Sequence, residues 1–267
     1  MDTLSIARDI RRLTLKCINS IGSGHVGGCL SIVDFLAVLY AKHFNFDSTN
    51  PRMQGRDRIV LSKGHAGPAL YATLCHFGYF PEQQLLTLNR LGTALPSHTN
   101  ANLTPGVDMT AGSLGQGISG GVGLALGSKM SNDNARIYII VGDGECQEGQ
   151  VWEAALTASN KGLDNLCVFV DNNRMQIDDY TDNVSKVEDL DAKWSAFGFH
   201  TIRIDGHNHE QLDNALNMAK TVKGIPTAII GNTVKGKGVS IFEQMGVSNH
   251  SVSVSDEQLE KALAELV

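Results

Sequence analysis

The chain has 267 residues, 42% of them hydrophobic, with 28 glycines against 6 prolines and a formal net charge of −6. That length can bury the core of one large α/β domain, and the glycine excess implies tight turns rather than disorder. The acidic balance excludes a nucleic-acid partner or a membrane surface, since the densest basic cluster, RDIRR, falls on one solvated helix face.

Residues 3–19 repeat apolar side chains (Leu4, Ile6, Ala7, Ile10, Leu13, Leu15, Cys17) at helical spacing. A glycine-rich turn follows at 21–28, then a buried helix over 30–43 with Ser31 and Asp34 in its first turn. A short strand at 57–61 ends at Ser62-Lys63-Gly64-His65, and helices are predicted at 67–77 and 82–90. Residues 91–113 lack periodicity, and a loop of that length inside a compact domain is usually functional or disordered. Residues 115–130 form a helix of small residues suited to close packing. Residues 136–173 read as strand, turn, helix, strand, turn: a βαβ unit with both turns at one edge of a parallel sheet. Beyond it come a helix near 187–197, a strand at 199–204, a helix at 208–222 and a strand at 226–231. A Gly/Lys turn at 235–238, a loop through His250 and a terminal helix from about 255 complete the chain. Alternating strands and helices give an α/β fold, a parallel sheet flanked by helices, in a single domain spanning 1–267.

Five cysteines (17, 29, 75, 146, 167) form an odd set without a CxxC pair, which points to a reducing cytoplasm and against disulfides or a zinc site. Charges at Asp2, Arg8, Asp9, Arg11 and Arg12 leave no apolar stretch for a signal peptide. No uninterrupted apolar run approaches 18 residues, so no membrane span is expected.

The two turns of the βαβ unit carry the chemistry. Gly142-Asp143-Gly144 supplies a carboxylate and Asp171-Asn172-Asn173 an amide oxygen. Both are hard donors suited to Mg²⁺, which completes its octahedron with phosphate oxygens and water. The flanking glycines let a diphosphate approach the backbone, and the Met175 carbonyl can add a third oxygen. The bland alternative is a pair of ordinary strand-end turns. Gly115-x-Gly117-x-x-Gly120 matches the dinucleotide fingerprint by letter but follows no suitable strand, so these glycines read as helix-packing positions. The preceding Gly112-Ser113-Leu114 remains a candidate ligand lining. His25, His65 and His98 sit in separate turns and can converge on a site, as donors to sugar hydroxyls and phosphates or as proton shuttles. Zinc is the competing use, although no zinc-type His/Cys spacing supports it.

SGHVGG, LSKGHAGPALY, TPGVDMTAGSLGQGISGGVGLALG, GDGECQEGQVWEAA, VDNNRMQIDD and TVKGKGVS occur in the order seen in transketolases. From about residue 5 to 250 the chain resembles their amino-terminal, diphosphate-binding half. Its length is similar to the N-terminal subunit of a split transketolase. The resemblance implies a thiamine diphosphate-binding fold and transfer of a two-carbon ketol unit from a ketose phosphate to an aldose phosphate. It implies thiamine diphosphate with Mg²⁺, or another divalent cation such as Ca²⁺ or Mn²⁺, held by Asp143, Asn173 and the Met175 carbonyl. Gly144 matches a backbone contact to the diphosphate, His65 a histidine beside it, and Gly112 and Leu114 residues flanking the cofactor rings. His25 and His98 match histidines at the substrate hydroxyls, and His250 a late histidine near cofactor and substrate, with Lys235 beside it. Glu148 matches a glutamate in a subunit-interface network linking paired cofactor sites.

The chain departs from the family at Ser97-His98-Thr99, where Gly-His-Pro is common, and at Asn249-His250-Ser251, where Trp-His-Gly is usual. Both departures fall on the sugar-facing side and leave open a branched or modified ketose beside the ordinary pentulose. The glutamate that activates the cofactor lies in a second domain in this family. The resemblance therefore implies a C-terminal partner subunit carrying the pyrimidine-binding domain, in a heterotetramer of two chains of each kind. The alternatives are an alpha-type subunit of a 2-oxoacid dehydrogenase and a non-catalytic thiamine diphosphate-binding protein.

Overall fold

The structure is a computed structural model and describes residues 2–177 and 179–267. Five parallel strands form the central sheet: β1 (Arg58–Leu61), β2 (Ile137–Gly142), β3 (Leu166–Asn172), β4 (His200–Asp205) and β5 (Thr227–Asn232), in spatial order β1-β2-β3-β5-β4. Gly142 lies opposite Asp171, and Asn172 opposite Asn232, so the carboxyl ends of the three central strands finish level. Ligands of open α/β sheets bind at that edge.

The alternation of side chains along each strand splits the core into two layers. Tyr138, Ile140, Cys167, Phe169 and Ile229 point to a layer shared with α1 (Thr3–Asn19), α2 (Val26–Leu30), α3 (Val33–Val38), α4 (Gly67–His76) and α8 (His209–Thr221). Ile137, Ile139, Val141, Val168, Val170 and Ile230 point the other way, toward α5 (Gln116–Ser131), α6 (Gly149–Asn160) and α7 (Leu190–Ala196). Phe35 stacks on Phe169 with ring centroids 4.1 Å apart, locking α3 to β3. The closing helix α9 (Asp256–Glu265) starts at a capping box between Ser255 and Gln258.

The structure revises several sequence expectations. The helix expected over 30–43 begins at Val26, so Gly27 and Gly28 are helical rather than part of a turn. It breaks at Ser31-Ile32 and ends in a wider turn over Leu39–His43, closed by the Phe44 N–H on the Leu39 carbonyl. By length and mean composition alone Val26–His43 could cross a membrane, although Ser31, Asp34 and Lys42 interrupt its apolar run. It is 89% buried inside the fold, as a core helix is. The helix expected at 82–90 is one short turn, Glu82–Leu85. Within the glycine-rich turn, Ser23–Gly24 pairs with Val252–Ser253, which ties both ends of the chain together. The loop 91–113 contains no helix or strand but is anchored: Asp108 accepts from the Arg56 guanidinium and from the Ile59 N–H (2.9 Å). All five cysteines are free.

Candidate functional site

Four segments meet at the carboxyl edge of the sheet: the turns after β1, β2 and β3, and the Thr233–Lys235 stretch after β5. One buried carboxylate joins three of them. Asp171 accepts from the Lys63 ammonium, the Ser31 hydroxyl (2.8 Å), the Asn173 amide (3.0 Å) and the Thr233 hydroxyl (2.5 Å). Lys63 also donates to the Gly28 carbonyl (2.9 Å), bringing the start of α2 into the same knot. Burial alone would raise the Asp171 pKa; Lys63 and the hydroxyl donors outweigh it and hold the carboxylate below its usual value. Ser31, still helical at the C-terminal end of α2, ties that helix to Asp171. A second clamp is Glu145, which accepts from the Ser62 hydroxyl, the Gly115 N–H (2.9 Å) and the Gly142 N–H (3.0 Å). It fixes the β1 and β2 turns to the start of α5.

Between these clamps lies a cavity whose walls include Gly28, Lys63, His65, Leu114, Asp143, Gly144, Asn173, Met175, Lys235 and His250. Asp143 accepts from the Gly144 N–H (2.8 Å), the Arg174 N–H (2.6 Å) and the Thr181 hydroxyl (3.2 Å). Burial first, and then the neighbouring Asp171 charge, push its pKa up to about 6 despite these bonds. A buried carboxylate with that much uncompensated charge is stabilised by a cation. Asn173 turns its amide nitrogen to Asp171 and holds its oxygen at the Met175 N–H (3.0 Å). Carboxylate, amide oxygen and peptide carbonyl are a hard oxygen set, and the glycine at 144 leaves the adjoining backbone open. These residues fit a divalent cation carrying a diphosphate. Among the described residues no group of three or more His, Cys, Asp and Glu side chains forms a metal cluster.

Four histidines converge at the cavity. The His25 ring lies 5.2 Å from His65, 5.0 Å from His250 and 6.2 Å from His98, and His65 lies 5.4 Å from His250. Burial, then His98, Lys235 and Lys63, lowers the His25 pKa. Burial, then Lys63 and the other three histidines, takes His65 well below the ordinary imidazole value. Both rings are therefore neutral at pH 7, each with one donor and one acceptor nitrogen. His98 is exposed and packs beside Gly112, whose position leaves room for its ring.

The structure brings His25, His65, His98, His250, Leu114, Asp143, Gly144, Asn173 and Met175 into one site, with Gly112 at its edge. Glu148 stands apart: it is exposed at the start of α6, beside Gly115, and does not line the cavity. The fingerprint glycines pack as expected: a Cβ on Gly117 would fall 2.6 Å from Ser62 Cα, and one on Gly120 would overlap the Met109 sulfur. Sequence reasoning missed Lys63, Asp171 and Glu145. Each is a charged residue at or just beyond the end of an apolar strand and is buried in the fold, and a charge held there is the signal that marks them.

Over residues 3–266 the chain matches the family described as "Transketolase, thiamine diphosphate binding domain". A 6-deoxy-6-sulfo-D-fructose transketolase subunit from Clostridium sp. (strain MSTE9) is 50% identical over 260 residues, covering 97% of this chain and 94% of that protein. An apulose-4-phosphate transketolase subunit from Actinobacillus succinogenes is 38% identical, covering 96% of this chain and 92% of its own length. Among solved structures, transketolase from Leishmania mexicana superposes with a TM-score of 0.93 at 31% identity, over 100% of this chain and 41% of that one. The chain therefore has nearly the full length of the two subunits and about two fifths of that solved transketolase. Its sheet, the oxygen donors at the strand ends and these similarities agree: the chain belongs to the transketolase family, as a thiamine diphosphate-binding domain.

Proposed function

We propose that this chain is the diphosphate-binding subunit of a two-chain transketolase, moving a two-carbon ketol unit from a ketose donor to an aldose phosphate acceptor. One observation carries the reading: four histidine rings cluster together, two of them, His65 and His250, lining a cavity that holds a hard oxygen donor set at Asp143, Asn173 and Met175. A divalent cation, Mg²⁺ or a substitute such as Ca²⁺ or Mn²⁺, would be held by the Asp143 carboxylate, the Asn173 amide oxygen and the Met175 carbonyl. The Gly144 N–H and His65 would meet the diphosphate, and Leu114 and Gly112 would border the rings. When bound, thiamine diphosphate supplies a nucleophilic carbon and an electron sink for breaking the C–C bond.

The chain's own contribution is placement and proton handling. His25 is neutral, so a ring nitrogen can accept a proton from a donor hydroxyl, and its contacts with His98 and His250 offer onward routes. His98, exposed at the mouth, is placed to meet the acceptor sugar. Lys63 and Asp171 keep the strand-end turns in register and exclude water from beneath the cation. Glu148, outside the cavity, would act at a subunit interface.

The donor is a branched or otherwise modified ketose, a reading supported by relatives named for 6-deoxy-6-sulfo-D-fructose and apulose 4-phosphate. The residues flanking His98 and His250, which depart from the usual transketolase pattern, support it. The partner is a C-terminal subunit with a pyrimidine-binding domain, in a heterotetramer in the cytoplasm. The test is ketol transfer by this chain alone and with a C-terminal transketolase subunit from the same organism, using sulfofructose, apulose 4-phosphate and an ordinary pentulose phosphate as donors. Activity only in the mixture, greatest with an altered ketose, is expected. Full turnover by the single chain would refute the split site, and equal rates with the pentulose would refute the substrate assignment.

A further inference from the structure

We infer that His207 is a positioning residue of this site: it holds the turn 234–237 so that Lys235 stays packed against the start of α2, two residues from His25. The inference deepens the functional reading above and rests on it. Strands β4 and β5 end level, with Asp205 opposite Asn232, so His207 and Val234 each stand two residues beyond their strands. The His207 backbone is pinned from both sides. Its N–H donates to the Asp205 carboxylate (2.9 Å), and Asn208 caps α8 through the Glu210 and Gln211 N–H groups. The ring then spans the gap between the strand ends, where Nε2 accepts from the Val234 N–H (2.8 Å). A ring nitrogen that accepts carries no proton, so the proton sits on Nδ1 and is donated to Asp34 (2.7 Å).

Asp34 holds the other end of the turn as well. Arg11 donates to both Asp34 oxygens (3.0 and 2.5 Å) and, through Nε, to the Lys237 carbonyl (2.9 Å). One buried carboxylate thus orients the two side chains that grip the turn on either side of Lys235-Gly236. The Gly236 N–H in turn donates to the Gly27 carbonyl (3.1 Å), and a Cβ on Gly27 would fall 2.6 Å from Lys235 Cγ. Lys235 is buried and lines the cavity. After burial and His98, its charge is the next cause that lowers the His25 pKa, ahead of Lys63.

His209 supplies an internal control. Its Nε2 meets the other Asp34 oxygen (2.9 Å), but its Nδ1 meets the Thr3 hydroxyl on α1 (2.8 Å) instead of the turn. Both histidines bind the same carboxylate, and His207 alone of the two carries that bond on to Val234.

The experiment compares His207→Asn, His207→Gln and His209→Leu. Asparagine keeps a donor for Asp34 but falls short of Val234, whereas glutamine places a carbonyl oxygen near the Nε2 position. The His25 ring, which faces His65, His98 and His250 and the charges of Lys235 and Lys63, is titrated by ¹H–¹⁵N correlation spectroscopy of the full chain. Turnover is measured with the C-terminal subunit, and thermal unfolding shows that each variant folds. In His207→Asn, His25 should titrate higher than in the wild type and kcat should fall about tenfold, with both restored to within about twofold by glutamine. Lys235→Met should raise the His25 titration by the same amount and add nothing to His207→Asn. His209→Leu should lose stability while His25 and kcat stay unchanged. An unmoved His25 in His207→Asn, or equal losses of kcat in His207→Asn and His209→Leu, would leave His207 a merely structural residue and overturn the inference. Absence of ketol transfer by the assembled wild type would overturn the functional reading, and the His25 titration would still decide whether His207 holds Lys235.

Discussion

Replacing Lys63 with methionine removes one half of the buried ion pair beneath the site and keeps most of the side-chain volume. Lys63 is 2% exposed and Asp171 fully buried, so the carboxylate cannot recover its lost partner from solvent. Breaking a buried pair from one side costs about 3–5 kcal/mol. Asp171 keeps three other donors, Ser31, Asn173 and Thr233, which places the loss near the lower bound, at about 3 kcal/mol. With a urea dependence of roughly 3 kcal/mol per molar for a domain of this size, the midpoint should fall by about 1 M. Adding Asp171→Asn to Lys63→Met removes the stranded charge while retaining an amide for the hydroxyl donors. The double variant should therefore be more stable than Lys63→Met alone, and a double-mutant cycle reads the coupling directly. Equilibrium urea unfolding of the apo-chain gives all four values. A midpoint change below about 0.3 M, or a double variant whose loss equals the sum of the singles, would refute a charged, desolvated pair.

Acid stability follows from Asp34, where burial favours the neutral form but bonds to His207 and His209 and the Arg11 guanidinium prevail and hold the carboxyl far below its usual range. That stabilisation is complete above the unfolded value of about 3.9 and is lost as pH falls through the folded one; Asp34→Asn should flatten the acid limb of a melting-temperature profile. His25 and His65, lowered in the fold, bind protons more readily when unfolded, so apo stability should decline as pH drops below about 6.5, and His65→Gln should reduce that slope in the same titration. Gly117→Ala would press a methyl against Ser62 Cα and should cost about 1–3 kcal/mol in urea unfolding. Gly123→Ala, on the same helix with nothing within 4 Å, should instead stabilise by up to about 1 kcal/mol, and equal losses at both positions would discredit the packing assignment.

The contrast between Gly117 and Gly27 shows which parts of the molecule the chain declares locally. The unbroken apolar run over 137–141 fits a strand covered on both faces, with Tyr138 and Ile140 in one core layer and Ile137 and Ile139 in the other. The βαβ spacing likewise placed Asp143 and Asn173 at one sheet edge, since a parallel crossover has only one short solution. Gly27 gave the opposite impression. Beside Gly28 it reads as a turn, yet it sits inside α2 because a Cβ there would meet the Asn249 carbonyl at 2.3 Å and the Lys235 stem at 2.6 Å. That demand comes from residues more than two hundred positions away, so no local rule could expose it. Lys63 and Asp171 are 108 residues apart, and Ser62 and Glu145 are 83 apart. Turn chemistry thus singled out Asp143, Asn173, His25, His65 and His98, and the family resemblance added His250, whereas neither pointed to the groups that hold those turns together. Activity lost at Lys63 and Asp171 should accordingly track weakened cofactor binding and lowered stability together. Loss at His98, exposed and outside the clamps, should lower turnover with stability unchanged.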